Sequence, residues 1–168
     1  GERVVGVAVK EVMNPKEITF EDETHLRDMR FLGLVCLKDP LRPGTAEVIA
    51  SVQREGIRVI MLTGDHEETA GAIARELGLH ATAETIIRGE DLDLLSDEAL
   101  KERLEHATVI ARVSPQGKLR VAKILREQGE IVAMTGDGIN DAPALREAHI
   151  GIAMGSGTDV SREVADLV

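Results

Sequence analysis

A parallel β-sheet flanked by α-helices is the fold this sequence predicts. From about Phe31 onward, short apolar runs alternate with helical stretches of about ten residues or more. The apolar runs are almost uninterrupted, as strands covered on both faces should be. Polar and acidic residues gather just past their ends, where ligands bind in open parallel sheets.

The elements follow in order. Val4, Val5, Val7 and Val9 form a strand-like run, and Met13 to Asp28 is polar and charge-rich. Residues 1–30 therefore read as the tail of a neighbouring domain plus a hinge, and residues 31–168 as the domain proper. Strands are expected at Phe31 to Leu37, Ile57 to Leu62, Val109 to Ala111, Ile131 to Met134 and Ile150 to Ala153, with Thr85 to Arg88 a weaker sixth. Pro43 opens a helix running to Glu55, with Val48, Ile49 and Val52 on one face and Gly56 as its stop. Ala70, Ile73, Ala74 and Leu77 fall at helical spacing before Gly78, with Asp65 and Glu68 placed to cap the start. Ser96 caps a shorter helix carrying Leu100 and Leu104, and Ser114 with Pro115 begins one that ends at Gly129. The last helix begins near Thr158 and Asp159 and presents Val160, Val164 and Leu167.

Composition narrows the function. The 168 residues suit one domain with a small appendage, and no apolar stretch approaches the roughly 20 residues of a membrane helix. No basic start followed by an apolar run heads the chain, and neither does Met, which reads as an excised piece. A net charge of −10, with Phe20 and Phe31 the only aromatics, argues against nucleic-acid binding, which needs clustered cations or stacking platforms. Cys36 lies in an apolar run and is expected to be a small buried core residue, so no disulfide framework or thiolate cluster is available. His25, His66, His80, His106 and His149 include no pair at helical metal-ligand spacing.

The strand ends carry the chemistry. Asp39 follows the first expected strand, Thr63 and Asp65 the second, and Asp137, Asn140 and Asp141 the one ending at Met134. Three acidic strand ends on one edge suit magnesium and phosphate, because magnesium takes one or two carboxylates and completes its shell with phosphate oxygens and water. A lone Thr-Gly-Asp is commonly a turn whose Asp caps a helix. Thr135-Gly136-Asp137-Gly138-Ile139-Asn140-Asp141 is harder to read that way: two glycines allow close backbone approach, and two carboxylates flank an amide, a costly cluster without a cation. Lys118 falls in a first helical turn, where the dipole disfavours a cation, so a bound anion would account for it. Gly155-Ser156-Gly157-Thr158 could cradle an anion but reads better as a helix cap.

DPLRPG at 39–44, MLTGD at 61–65, ARVSPQGK at 111–118, MTGDGINDAPAL at 134–145 and GIAMGSGTDV at 151–160 resemble, in order and spacing, the phosphorylation domain of P-type cation-transporting ATPases. The spacer from His80 to Thr108 looks like the calcium and sodium/potassium pump branch. The resemblance implies a Rossmann-like fold of the haloacid-dehalogenase-like (HAD-like) superfamily, working through an aspartyl phosphate. It implies that Thr63 and Gly64 hydrogen-bond the transferred phosphoryl group and that Lys118 neutralises it. Asp137 and Asp141 would serve magnesium with Asn140 in support, and Asp65 and Arg112 would contact ATP. The family's nucleophile lies in a DKTGT motif, and no DKTGT occurs here. The expected reading is thus the rear part of the domain, inactive alone, on the cytoplasmic side of a membrane protein. Nucleotide-binding, actuator and membrane domains, the last binding the transported cation, would be its missing partners. Two alternatives stand beside it: a free-standing phosphatase using Asp39, and a noncatalytic module that keeps the fold as scaffold.

Overall fold

The parallel strands are short because the chain turns into a helix or a polar loop soon after each apolar run. The structure, a computed structural model, describes residues 3–11, 27–37 and 40–168. It divides into two compact units, Gly1–Leu41 and Arg42–Val168.

In the first unit β1 (Arg3–Val9) pairs antiparallel with β2 (Arg30–Leu37), with a register shift between Val7 and Ala8. The expected strand at Phe31 to Leu37 therefore exists, but its partner is the N-terminal valine run and not a parallel neighbour. A two-stranded ribbon has no second layer of its own, so Phe31, Leu32, Leu34, Val35 and Leu37 are exposed. Cys36 is exposed with them, which corrects the expectation of a core thiol.

The second unit is built on parallel strands. α1 (Thr45–Arg54) is followed by β3 (Met61–Leu62), α2 (Glu67–Glu76), β4 (Ile86–Arg88), α3 (Gly89–Leu94), α4 (Asp97–His106) and β5 (Val109–Ala111). Then come α5 (Pro115–Glu127), β6 (Ala133–Gly136), a 3-10 turn at Ile139–Asp141, α6 (Ala142–Glu147), β7 (Ile150–Ala153) and α7 (Asp159–Val164). Strand order is β3-β5-β4 in one parallel segment and β6-β7 in another. Leu62 packs against the cores of both segments, so they meet at β3.

β5 is the central strand, and its period of two splits the core. Ile110 joins Ile87, Leu92, Leu100, Leu104, Val121 and Ile124 on the face covered by α3, α4 and α5. Val109 and Ala111 join Ala70, Ala74, Leu79 and Ala81 on the face covered by α2.

Several expected boundaries move. Ile57 to Leu62 narrows to Met61–Leu62, and the strand expected at Ile131 to Met134 forms at Ala133–Gly136. α1 contributes Ile49 to the core, whereas Val48 is 61% exposed. α2 starts at Glu67 without a side-chain cap, because His66 and not Asp65 or Glu68 occupies the N-cap position. Leu167 lies beyond α7, bridging to Ile152. The caps at Ser96, Ser114 and Thr158 form as expected, each side chain accepting a backbone N–H three residues on.

Candidate functional site

Two groups of the expected residues are assembled at the C-terminal ends of the parallel strands. In the first, the Thr63 hydroxyl accepts the Asp65 N–H at 3.1 Å, which closes the turn after β3. The Asp65 carbonyl accepts the Arg112 N–H at 2.9 Å, and the Thr63 carbonyl accepts the Val113 N–H at 3.0 Å. The turn carrying Thr63, Gly64 and Asp65 is thereby stitched to the end of β5, and the Asp65 carboxylate is on an exposed residue.

The second group surrounds Asp141. Lys118 Nζ donates to Asp141 Oδ1 at 2.6 Å, and the Gly138 N–H donates to Oδ2 at 3.2 Å. The side chains of Lys118 and Asp141 keep only 17% and 10% exposure. Burial pushes the Asp141 carboxyl upward, but Lys118 and the N–H groups of Gly138 and Asp137 outweigh it and hold the group below its ordinary range. The Asp141 carboxylate supplies negative charge to the lysine in the first turn of α5. Gly136 is required here because a Cβ on it would stand 2.5 Å from the Asp141 Cβ. Asp137 and Asn140 lie on the same loop, both exposed.

The two groups connect through the chain. Val113, bonded to Thr63, precedes Ser114, whose hydroxyl accepts the Gly117 N–H at 3.0 Å and starts the helix bearing Lys118.

The sequence reading missed Ser161, which is fully buried. Its hydroxyl reaches the carbonyls of Thr158 at 2.8 Å and Asp137 at 3.3 Å, so the start of α7 anchors the loop carrying Asp137. The only sequence signal for it was its place three residues after the Thr158 cap, which marks a capped turn and nothing more. The Gly157 loop joins in: the Thr158 N–H donates to the Asp137 carbonyl at 2.9 Å, and a Cβ on Gly157 would be 2.9 Å from that oxygen.

As a metal site the arrangement is sparse. Among the described residues no three His, Cys, Asp or Glu side chains converge to hold an ion. Each Asp141 oxygen already has a donor, whereas Asp137 offers an exposed carboxylate. One carboxylate fits magnesium, which can draw the rest of its shell from phosphate and water, and would not suffice for calcium or structural zinc. Asp39 lies outside the described residues.

Parallel strands flanked by helices, with a part-buried Lys118–Asp141 pair and an exposed Asp137 past the strand ends, define an α/β domain of the helix-covered parallel-sheet class. A family model for haloacid dehalogenase-like hydrolases matches residues 8–149, and the chain belongs to that family. It is 44% identical over 167 residues to calcium-transporting ATPase 1 of Lactococcus lactis, covering 99% of this chain and 19% of that protein. It is 39% identical over 171 residues to calcium-transporting ATPase 1 of Saccharomyces cerevisiae, covering 100% of this chain and 18% of that protein. A solved structure of the catalytic domain of a CPx-ATPase aligns at TM-score 0.55 and 25% identity, over 84% of this chain and 45% of that one. These relatives bear out the resemblance to cation-transporting P-type ATPases. The chain spans about a fifth of the length of the curated relatives it matches. Among the described residues no helix is long and apolar enough to cross a membrane.

Proposed function

We propose that the chain is the rear part of the phosphorylation domain of an ATP-driven cation pump, supplying its magnesium and phosphate site and inactive by itself. The observation that carries this reading is the part-buried pair of Lys118 on α5 and Asp141 on the loop that presents Asp137 to solvent. A fixed cation beside a free carboxylate is what phosphoryl transfer asks of a protein, because positioning and charge neutralisation supply most of that catalysis. Lys118 meets the phosphoryl oxygens, and Asp141 holds Lys118 and the Gly138 N–H in place. Thr63 and Gly64 hydrogen-bond the same group, Asn140 supports it, and Asp65 with Arg112 contacts ATP. Magnesium, when bound at Asp137, supplies further charge neutralisation.

The nucleophilic aspartate comes from a DKTGT segment elsewhere in the protein. The break between the β3-β5-β4 and β6-β7 segments supports this, since a strand leading to that motif would join them. The first unit then belongs with the nucleotide-binding domain, and the division of the chain at Leu41 supports a boundary somewhat later than residue 30. Membrane and actuator domains complete an integral membrane protein with this piece on its cytoplasmic side, and the relatives' names favour calcium as cargo.

With ATP and magnesium the chain alone should form no acid-stable phosphoprotein. The full-length protein should form one that is lost in Lys118→Ala. Calorimetry should show weak magnesium binding to the chain that Asp137→Asn removes; unchanged binding would sink the metal assignment. Magnesium-dependent phosphate release from small esters by the chain alone, lost in Asp39→Asn, would replace this reading with a phosphatase.

A further inference from the structure

Arg112 adopts a backbone conformation that side-chain-bearing residues rarely take, with φ at 51°. Its neighbours hold it there. The Arg112 N–H is bonded to the Asp65 carbonyl, and its own carbonyl lies against Gly89, where a Cβ would stand 2.1 Å from the oxygen. No residue with a side chain fits at position 89 while Arg112 keeps this turn.

The guanidinium is also held. Nη2 lies 2.8 Å from His66 Nε2, and Nη1 lies 3.6 Å from Glu90 Oε1. These residues border a cavity of about 110 Å³, also lined by Glu67, Glu68, Arg88 and Ala111. Arginine carries only donors and stays charged in proteins. The contact therefore requires a lone pair on His66 Nε2, which makes the ring neutral with its proton on Nδ1. Arg88 is bound at two points by Glu67, so Arg112 is the cation His66 engages.

We propose that His66 is the positioning residue for Arg112: as the Nδ1–H tautomer it accepts from the guanidinium and holds it beside the Asp65 turn. Resting on the reading of Arg112 as an ATP contact, this makes ATP affinity depend on a residue that itself touches no substrate.

Nitrogen-15 NMR of the chain tests the contact, and ATP kinetics of the full-length protein test its use. In mildly alkaline buffer His66 should appear as the Nδ1–H tautomer, and Arg112→Ala should abolish that preference. His66→Ala should raise KM for ATP about fivefold, with kcat changed by less than about twofold. His66→Gln, whose amide oxygen can accept from Arg112, should restore most of the loss. His66→Ala should add nothing in an Arg112→Ala background. An Nε2–H tautomer indifferent to Arg112→Ala overturns the proposal, as does a KM penalty that persists undiminished in that background. If the tautomer is as stated but Arg112→Ala leaves KM unchanged, the ATP assignment of Arg112 fails while its positioning by His66 stands.

Discussion

Asp141→Asn is an almost isosteric change whose cost follows from counting acceptors. The carboxylate serves Lys118 Nζ with one oxygen and the Gly138 N–H with the other. An amide has one acceptor oxygen, so whichever way it flips, an NH₂ faces a donor. Lys118 also loses its counter-charge at a site where its side chain is only 17% exposed. Breaking a fully buried pair costs about 3–5 kcal/mol; with residual exposure and one contact kept, about 2–3 kcal/mol is expected. In urea, at a slope of about 1.5 kcal/mol per M, the midpoint should fall by about 1–2 M. Asp159→Asn is the control, since that side chain is 93% exposed and pairs with Arg162 in the same helical turn. The effect also has a pH signature. The Asp141 carboxyl is held below its ordinary range, so its contribution is complete above about pH 4, the ordinary unfolded value. That contribution is lost as pH falls through the lower folded value, so the gap between wild type and Asp141→Asn should narrow in acid. A midpoint shift no larger than that of Asp159→Asn would refute the assignment of Lys118 and Asp141 as a coupled, part-buried pair.

Gly136→Ala should cost about 1–3 kcal/mol by driving a Cβ into Asp141, and Gly136→Ala with Asp141→Gly should be no less stable in urea than Asp141→Gly alone. Leu100→Ala should destabilise the chain by about 2–5 kcal/mol, since Leu100 is fully buried in the face under α3, α4 and α5. Val48→Ala on the exposed side of α1 should change stability by less than about 0.5 kcal/mol, and the reverse ranking in thermal or urea unfolding would contradict the core described above.

Much of the candidate site was legible because its parts are local. Thr63, Gly64 and Asp65 form one turn, and Gly136 to Asp141 one loop, so their clustering after apolar runs survives in one dimension. His66, Gly89 and Glu90 were not legible as a cradle for Arg112, since the contacts joining them span up to 46 residues and no motif encodes them. Ser161 was hidden for a different reason: a serine three residues into a helix looks like ordinary solvated surface until the loop carrying Asp137 is folded over it.

The sequence by itself determined the alternation of strand and helix, the caps at Ser96, Ser114 and Thr158, and the polar strand ends, because each depends on residues within about one turn of one another. Only the tertiary structure decided what Phe31 to Leu37 would pair with, and therefore that Cys36 faces solvent. An apolar run states that a strand can form; its partner is chosen by pairing and burial between distant segments. The same holds for Lys118. Its place in the first turn of α5 called for a negative charge, and the fold supplied it from Asp141, 23 residues further along the chain. Helix and strand tendencies are local sums, whereas the charge a part-buried lysine meets depends on which loop the packed core brings against it.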